Sequence, residues 1–240
     1  MSTTRIPLVL LFLCAVAGSA IAQERSRPSR QRLLMDYGWM FTRGEAAGAE
    51  EPSFDDSGWR SLDLPHDWSI EGPYDENAPT GGRGGYLPTG IGWYRRAFTL
   101  PEGSSGRRVS IEFDGVYQMS DVWINGHHLG RRPYGYVSFY YDLTPHLVEG
   151  ENVVAVRVDN SRQPNSRWYS GSGIYRHVWL TVTNPLHIGH WGTYVTTPEV
   201  DAASALVAVR TRIVNDGSGE RRGTLRSAIL DASGAQLAGS

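Results

Sequence analysis

Seven strand-length runs, at 93–100, 108–113, 119–124, 129–132, 139–143, 153–158 and 177–182, follow one another with turn chemistry between them. Runs this short and this evenly spaced cannot cover themselves as helices and must pair side by side, which predicts a two-sheet antiparallel sandwich. Asn125-Gly126, between Val122-Trp-Ile124 and His127-His-Leu129, supplies two residues that tolerate positive φ, the signature of a type I′ hairpin. An earlier strand is expected at 38–42 and a turn at 54–59, after which Trp59 plugs the core. Trp93, Trp123, Trp179 and Phe113 lie within strand patterns and read as core, together with Trp39. The 28 glycines and 13 prolines, with aromatics at 11%, agree with many tight turns and almost no helix.

Asn184-Pro185 ends this series and a second one starts, with extended runs at 206–214 and 224–230 around a turn at 215–219. Only 56 residues follow Asn184, whereas an immunoglobulin-like sandwich uses about 100 residues and seven strands. The expectation is a second β-domain that begins but is not completed, with an apolar face left uncovered.

The first 22 residues read as an export signal: one positive charge at Arg5, an apolar run at 8–16, and Ala20-Ile-Ala22 as a small-x-small cleavage site. The apolar run is well short of the ~20 residues a spanning helix needs, so a secreted or periplasmic chain cut after Ala22 is expected, with no membrane partner. Leu13 before Cys14 argues against lipidation, and Cys14 is the only cysteine, so the mature chain has neither disulfides nor thiolate metal sites. Without Arg5 the chain has 22 basic and 25 acidic side chains and no long single-sign run, which excludes nucleic acid as a natural partner. The basic cluster at 25–32 falls in a Ser/Pro/Gln-rich stretch, and residues 23–35 read as a mobile leader.

Two loops carry the functional signal. Arg167-Trp-Tyr-Ser-Gly-Ser-Gly-Ile-Tyr-Arg176 combines aromatics with glycines at 171 and 173, so the backbone can double back and present Trp168 and Tyr169 at a rim where a pyranose can stack. Leu64-Pro-His-Asp-Trp68 precedes a long Gly/Pro-rich excursion from 71 to 92, and loops of that length in a compact domain are usually functional or disordered. His66 and Asp67 either meet sugar hydroxyls or serve only the loop's own hydrogen bonds. His127-His128 is no metal pair, because adjacent strand residues face opposite ways. No metal or other cofactor is expected.

Leu64-Pro-His-Asp-Trp68, Gly92-Trp-Tyr-Arg-Arg-Ala-Phe98, Phe113-Asp-Gly-Val116, Val122-Trp-Ile-Asn-Gly126, Gly150-Glu-Asn-Val153 and Ser172-Gly-Ile-Tyr-Arg176, in this order, resemble the N-terminal sugar-binding domain of glycoside hydrolase family 2, closest to its β-galactosidase branch. The resemblance covers roughly 36–184. It implies an all-β chain: a jelly-roll (galactose-binding-like) β-sandwich over 36–184, followed by an incomplete immunoglobulin-like β-sandwich over 185–240. It also implies a (β/α)₈ barrel beyond them that holds both catalytic glutamates of a retaining glycosidase. The family's Asn-Glu acid/base dipeptide is absent here, so no catalytic residue is assigned. The resemblance makes His66, Asp67, Arg167, Trp168 and Tyr169 the substrate-binding candidates, walling a pocket completed by the barrel. Some members carry an acidic residue that holds a monovalent cation where this chain has Arg167; a guanidinium has no acceptor, so that site does not carry over. Arg167 could instead pair with a carboxylate on the barrel or with Asp67. The partners implied are an oligosaccharide or glycoside and the C-terminal domains on which this part packs, with homo-oligomerisation left open. The competing function is a stand-alone secreted carbohydrate-binding module without catalysis.

Overall fold

A computed structural model describes residues 28–240. The export signal, its cleavage point and the first part of the leader lie outside the described residues. Strands are numbered β1–β14 in chain order. One sheet has the order β1 (Arg30–Leu34), β10 (Val178–Thr183), β5 (Arg108–Phe113), β8 (Phe139–Asp142). The facing sheet has the order β3 (Arg60–Leu62), β2 (Trp39–Arg43), β4 (Gly90–Thr99), β9 (Glu151–Asn160), β6 (Met119–Ile124), β7 (His127–Arg132). Every pairing is antiparallel. The only helical turns among the described residues are three short 3₁₀ segments. Asn125 and Gly126 have φ of 49° and 80°, and Ile124 pairs with His127 across them, so the two-residue hairpin is as expected.

The core lies between the sheets, where period-two alternation sends one set of side chains inward. Val154, Val156 and Val158 of β9 meet Ile111, Phe113, Leu180 and Val182 from the other sheet, all buried. Trp39 and Phe113 are core residues, as expected. Trp93 is buried in a second, smaller cluster with Ala49 and Ala155 on the outer face of the six-stranded sheet, against which Trp59 and Trp123 pack half-buried. Trp179 is also half-buried: it alternates outward from Val178 and Leu180, lies under the Arg32 guanidinium at 3.9 Å, and donates to Asp114 Oδ2 at 3.0 Å. Trp59, Trp123 and Trp179 therefore cover outer sheet faces instead of filling the main core. Buried Arg95 fastens the 49–56 loop over one such face, donating to Asp56 Oδ2 at 2.8 Å and to the carbonyls of Ala49 and Glu51.

Residues 30–34, expected within a mobile leader, instead form β1, in register from Arg30 opposite Thr183 to Leu34 opposite Trp179. Backbone pairing at a sheet edge needs no apolar side chains, which is why a basic, polar segment can still be a strand. Beyond Thr183 the architecture changes. β11 (Leu186–Val200) pairs only with β12 (Ala205–Asn215), and β13 (Ala228–Leu230) only with β14 (Gln236–Gly239), so residues 186–239 form two separate ribbons. Ile188 lies opposite Ile213 and Val195 opposite Val209 on one ribbon face, and all four are exposed.

Candidate functional site

The chain from His66 to Trp68 runs beside 172–174 at one end of the sandwich, with His66 N donating to Ile174 O at 2.9 Å and Trp68 N to Ser172 O at 3.0 Å. Gly173 and Tyr117 exchange backbone hydrogen bonds of 2.8 Å. This approach needs glycine. Gly173 has φ of 129°, and a Cβ there would fall 2.3 Å from the Tyr94 hydroxyl; at Gly171, φ 76°, it would fall 2.6 Å from Asp67 Oδ2. The turn read from the two glycines is therefore present, and its purpose is to bring the 167–173 loop onto the 66–69 segment.

Asp67 is the knot. Its Oδ1 accepts from Ser69 N at 2.9 Å, capping the 3₁₀ turn Trp68–Glu71, and from Ser172 N at 2.8 Å. Its Oδ2 accepts from the Tyr169 hydroxyl. A carboxylate offers about four acceptor positions, so Oδ2 keeps one for an incoming donor. Burial, followed by the bond to Asp67, pushes the Tyr169 hydroxyl far above the usual phenol range. Beneath this layer, Asn160 Nδ2 donates to Gly171 O at 2.9 Å and to Ser172 Oγ at 2.7 Å, and Ser69 Oγ donates to Ser172 Oγ at 2.7 Å. Asn160, Ser69 and Ser172 are buried, so these bonds replace water and fix the loop. Trp68 is fully buried and stacks on Phe41 at 5.8 Å, anchoring the same segment to the core.

His66 is held between Tyr94, Arg60 and Glu71. Its Nδ1 is 2.7 Å from the Tyr94 hydroxyl, and its Nε2 is 2.9 Å from Arg60 Nη2 and 3.1 Å from Glu71 Oε1. Arginine can only donate, so Nε2 accepts from Arg60, Nδ1–H points at the Tyr94 oxygen, and Arg60 also donates to Glu71 at 2.8 Å. Burial pulls the His66 pKa below the usual imidazole value, with Glu71 opposing. Burial alone would raise Glu71, but Glu71 is lowered, chiefly by its bond from Arg60. His66 is thus a neutral, fully engaged support for the loop.

At the rim, Trp168 is 61% exposed and Tyr169 39%. The Arg167 guanidinium lies 5.6 Å over the Trp168 ring. The Asp67 carboxylate is held by Ser69, Ser172 and Tyr169, and no ion pair joins it to Arg167 among the described residues. Facing this rim, the 71–92 excursion folds on itself through Asp75 N to Tyr86 O at 2.9 Å and Thr80 Oγ1 to Leu87 O at 2.8 Å. Thr80, Leu87 and Pro88 on one side and Asn165, Trp168 and Tyr169 on the other line a crevice. The structure therefore brings the five candidates to one end of the sandwich but divides their work: Arg167, Trp168 and Tyr169 are exposed at the rim, Asp67 ties the loop together beneath them, and His66 faces inward. Sequence reasoning missed Asn160, Asn165 and Ser172. Asn160 had a signal, since it continues the inward stripe of Val154, Val156 and Val158 as a polar residue in a core position. His127 and His128 have separate partners, the His146 ring at 4.5 Å and Asp121 Oδ1 at 2.9 Å. Among the described residues no group of three or more His, Cys, Asp or Glu could hold a metal.

The molecule is thus a two-sheet β-sandwich whose end loops present aromatic rings and hydroxyl-bearing turns beside a crevice. Residues 84–185 match the sugar binding domain of glycosyl hydrolases family 2, and the chain carries that family's N-terminal portion. It is 52% identical over 210 residues to a β-galactosidase of Bacteroides ovatus, covering 87% of this chain and 25% of the relative. It is 38% identical to a putative β-glucuronidase of Formosa agariphila, covering 87% of this chain and 20% of the relative. Among solved structures, a β-glycosidase from Bacteroides vulgatus superposes with a TM-score of 0.81 at 41% identity, over 87% of this chain and 27% of that one. The chain thus spans about a quarter of the length of these relatives.

Proposed function

We propose that this chain is the non-catalytic N-terminal part of a secreted family 2 β-glycosidase, β-galactosidase-like, exported with cleavage after Ala22. It would shape the mouth of a pocket whose catalytic carboxylates lie elsewhere in the protein. The observation that carries this reading is the Asp67 knot: three internal donors fix the carboxylate, leave one acceptor position free, and hold Tyr169 beside the exposed ring of Trp168. A rigid acceptor beside an aromatic face is what a sugar ring requires, because its C–H face stacks while one hydroxyl donates.

The test is steady-state kinetics of the complete gene product on aryl β-galactosides and β-glucuronides. Trp168→Ala removes an exposed ring and should raise KM while leaving the melting temperature nearly unchanged, if the ring contacts ground and transition states alike. Asp67→Ala should lower kcat/KM by about ten- to a hundredfold, from ~1.5–3 kcal/mol for a charge-assisted hydrogen bond. It should also lower the melting temperature, since two backbone donors lose their acceptor. Unchanged kinetics for Trp168→Ala would reduce this end of the sandwich to a scaffold. A reading frame that stops at Ser240 would favour the stand-alone binding module.

A further inference from the structure

Next to the crevice is an aromatic surface that the candidate residues did not include. The segment between β7 and β8, residues 133–138, carries Tyr134 and Tyr136, 61% and 50% exposed. Their rings are 5.7 Å apart, and Tyr136 lies 5.3 Å from the buried ring of Tyr117. The segment is clamped. Gly135 sits so close to Tyr117 that a Cβ would fall 2.2 Å from its ring, Tyr175 donates its hydroxyl to Gly135 O at 2.7 Å, and Ser138 Oγ donates to Asp114 O at 3.0 Å. Tyr117 also reaches the crevice, donating to Asn165 Oδ1 at 3.3 Å. Burial first, and then Tyr117, raise the Tyr136 hydroxyl, and the Trp168 side chain opposes this.

From this we infer that Tyr134 and Tyr136 form a cradle for the second and further sugar units of a β-linked oligosaccharide whose terminal unit stacks on Trp168 at the crevice rim. The inference rests on the reading of the crevice as a sugar site. The kind of occupant follows from the lining. Every exposed ring here ends in a hydroxyl or an indole N–H, and Asn165 and Arg167 stand beside them, so both C–H faces and hydroxyl rims find partners. The face of the β11–β12 ribbon that carries Ile188, Val195, Val209 and Ile213 is mostly aliphatic, with Thr193 paired to Thr211 between them, and offers no aromatic ring for a sugar to stack on. Tyrosines with few rotatable bonds, held by a clamped backbone, also lose little freedom on binding.

The experiment is calorimetric titration of the purified chain with galactose and with β-1,4-galactotetraose. The tetraose should bind about tenfold more tightly than galactose, the scale of one or two added ring contacts. The double variant Tyr134→Ala with Tyr136→Ala should lose that advantage and keep its affinity for galactose. The corresponding double Phe variant keeps the rings and should retain most of it, and Tyr194→Ala on the ribbon should change nothing. Thermal melts of each variant verify folding, and Tyr134→Ala alone serves if the double variant unfolds. Galactose binding without a tetraose advantage overturns the cradle and leaves the crevice reading intact. A tetraose affinity that falls in the Ala variant, with no measurable galactose binding, leaves the two rings as a sugar surface but overturns the crevice reading, and with it the inference that rests on it. No binding of either sugar, or an advantage that survives the loss of both rings, overturns the inference.

Discussion

β9 in the sandwich and β12 in the ribbon carry the same sequence signal, β-branched residues at every second position (Val154, Val156 and Val158; Val207, Val209, Thr211 and Ile213), and meet opposite fates. Val154, Val156 and Val158 are fully buried between two sheets, whereas Val209 and Ile213 are 42% and 51% exposed. Both strands form, because alternation and β-branching are local properties. Burial differs because it needs a second sheet, and among the described residues β9 has one facing it and β12 does not. Alternation therefore tells which face requires cover, not what supplies it.

The widest test of this contrast is truncation on each side of it. Phe113→Ala should destabilise the sandwich by about 3–5 kcal/mol, the usual cost of emptying an aromatic core site. Ile213→Ala on the exposed ribbon face should cost less than about 0.5 kcal/mol. Urea titration with tryptophan emission measures both, and equal costs would mean that the ribbon face is covered in solution. A glycine pair sharpens the comparison at smaller amplitude. Gly173→Ala combines positive φ with contacts of 2.3 Å and 2.7 Å to Tyr94 and His66, and should cost about 3 kcal/mol or more. Gly234→Ala in the second ribbon also has positive φ, 87°, but nothing within 4 Å, so about 1 kcal/mol is expected. Melts of equal depression would show that φ alone, not the close packing of the end loops, decides.

The smallest effect is in pH. Burial lowers the folded pKa of His66 in the sandwich, and also that of His190, whose ring lies tilted against Tyr140 at 3.9 Å where the ribbon meets the sandwich. The unfolded chain takes up a proton near 6.5, while the folded chain does so only at lower pH, so stability is full above about 6.5 and falls as the pH drops below it. Between about pH 7.5 and about pH 5.5, His66→Gln should flatten this loss more than His190→Gln, because His66 is the more enclosed of the two. A larger flattening from His190→Gln would place the pH-sensitive contact at the junction.

Much of the sandwich was legible because its signals are local. The runs at 108–113 and 119–124 match β5 and β6 residue for residue, and Asn125-Gly126 dictated its own turn. β1 was not legible, since an edge strand held by backbone bonds leaves no apolar pattern. The outward places of Trp59, Trp123 and Trp179 were missed because large aromatics were assigned to the core by type. For Trp179 the alternation of Val178, Leu180 and Val182 already pointed the other way. In the candidate site, the glycines and exposed rings of 167–173 were readable from composition. The knot at Asp67 was not, because it joins residues about a hundred positions apart, and neither was the clamped Tyr134–Tyr136 segment, which takes its rigidity from Tyr117 and Tyr175.

The central claim is that sugar contact belongs to the end loops of the sandwich and not to the ribbons, although both expose large apolar side chains. Its most direct measurement is a proton–nitrogen correlation spectrum of the labelled chain during addition of galactose. Two exposed tryptophans report on the two regions, Trp168 at the crevice rim, 61% exposed, and Trp191 on the ribbon, 68% exposed. The account predicts that the indole signal of Trp168 and the amides of Ser69, Gly171 and Ser172 move together along one saturating curve while Trp191 stays still. Movement of Trp191 with Trp168 unmoved would contradict it.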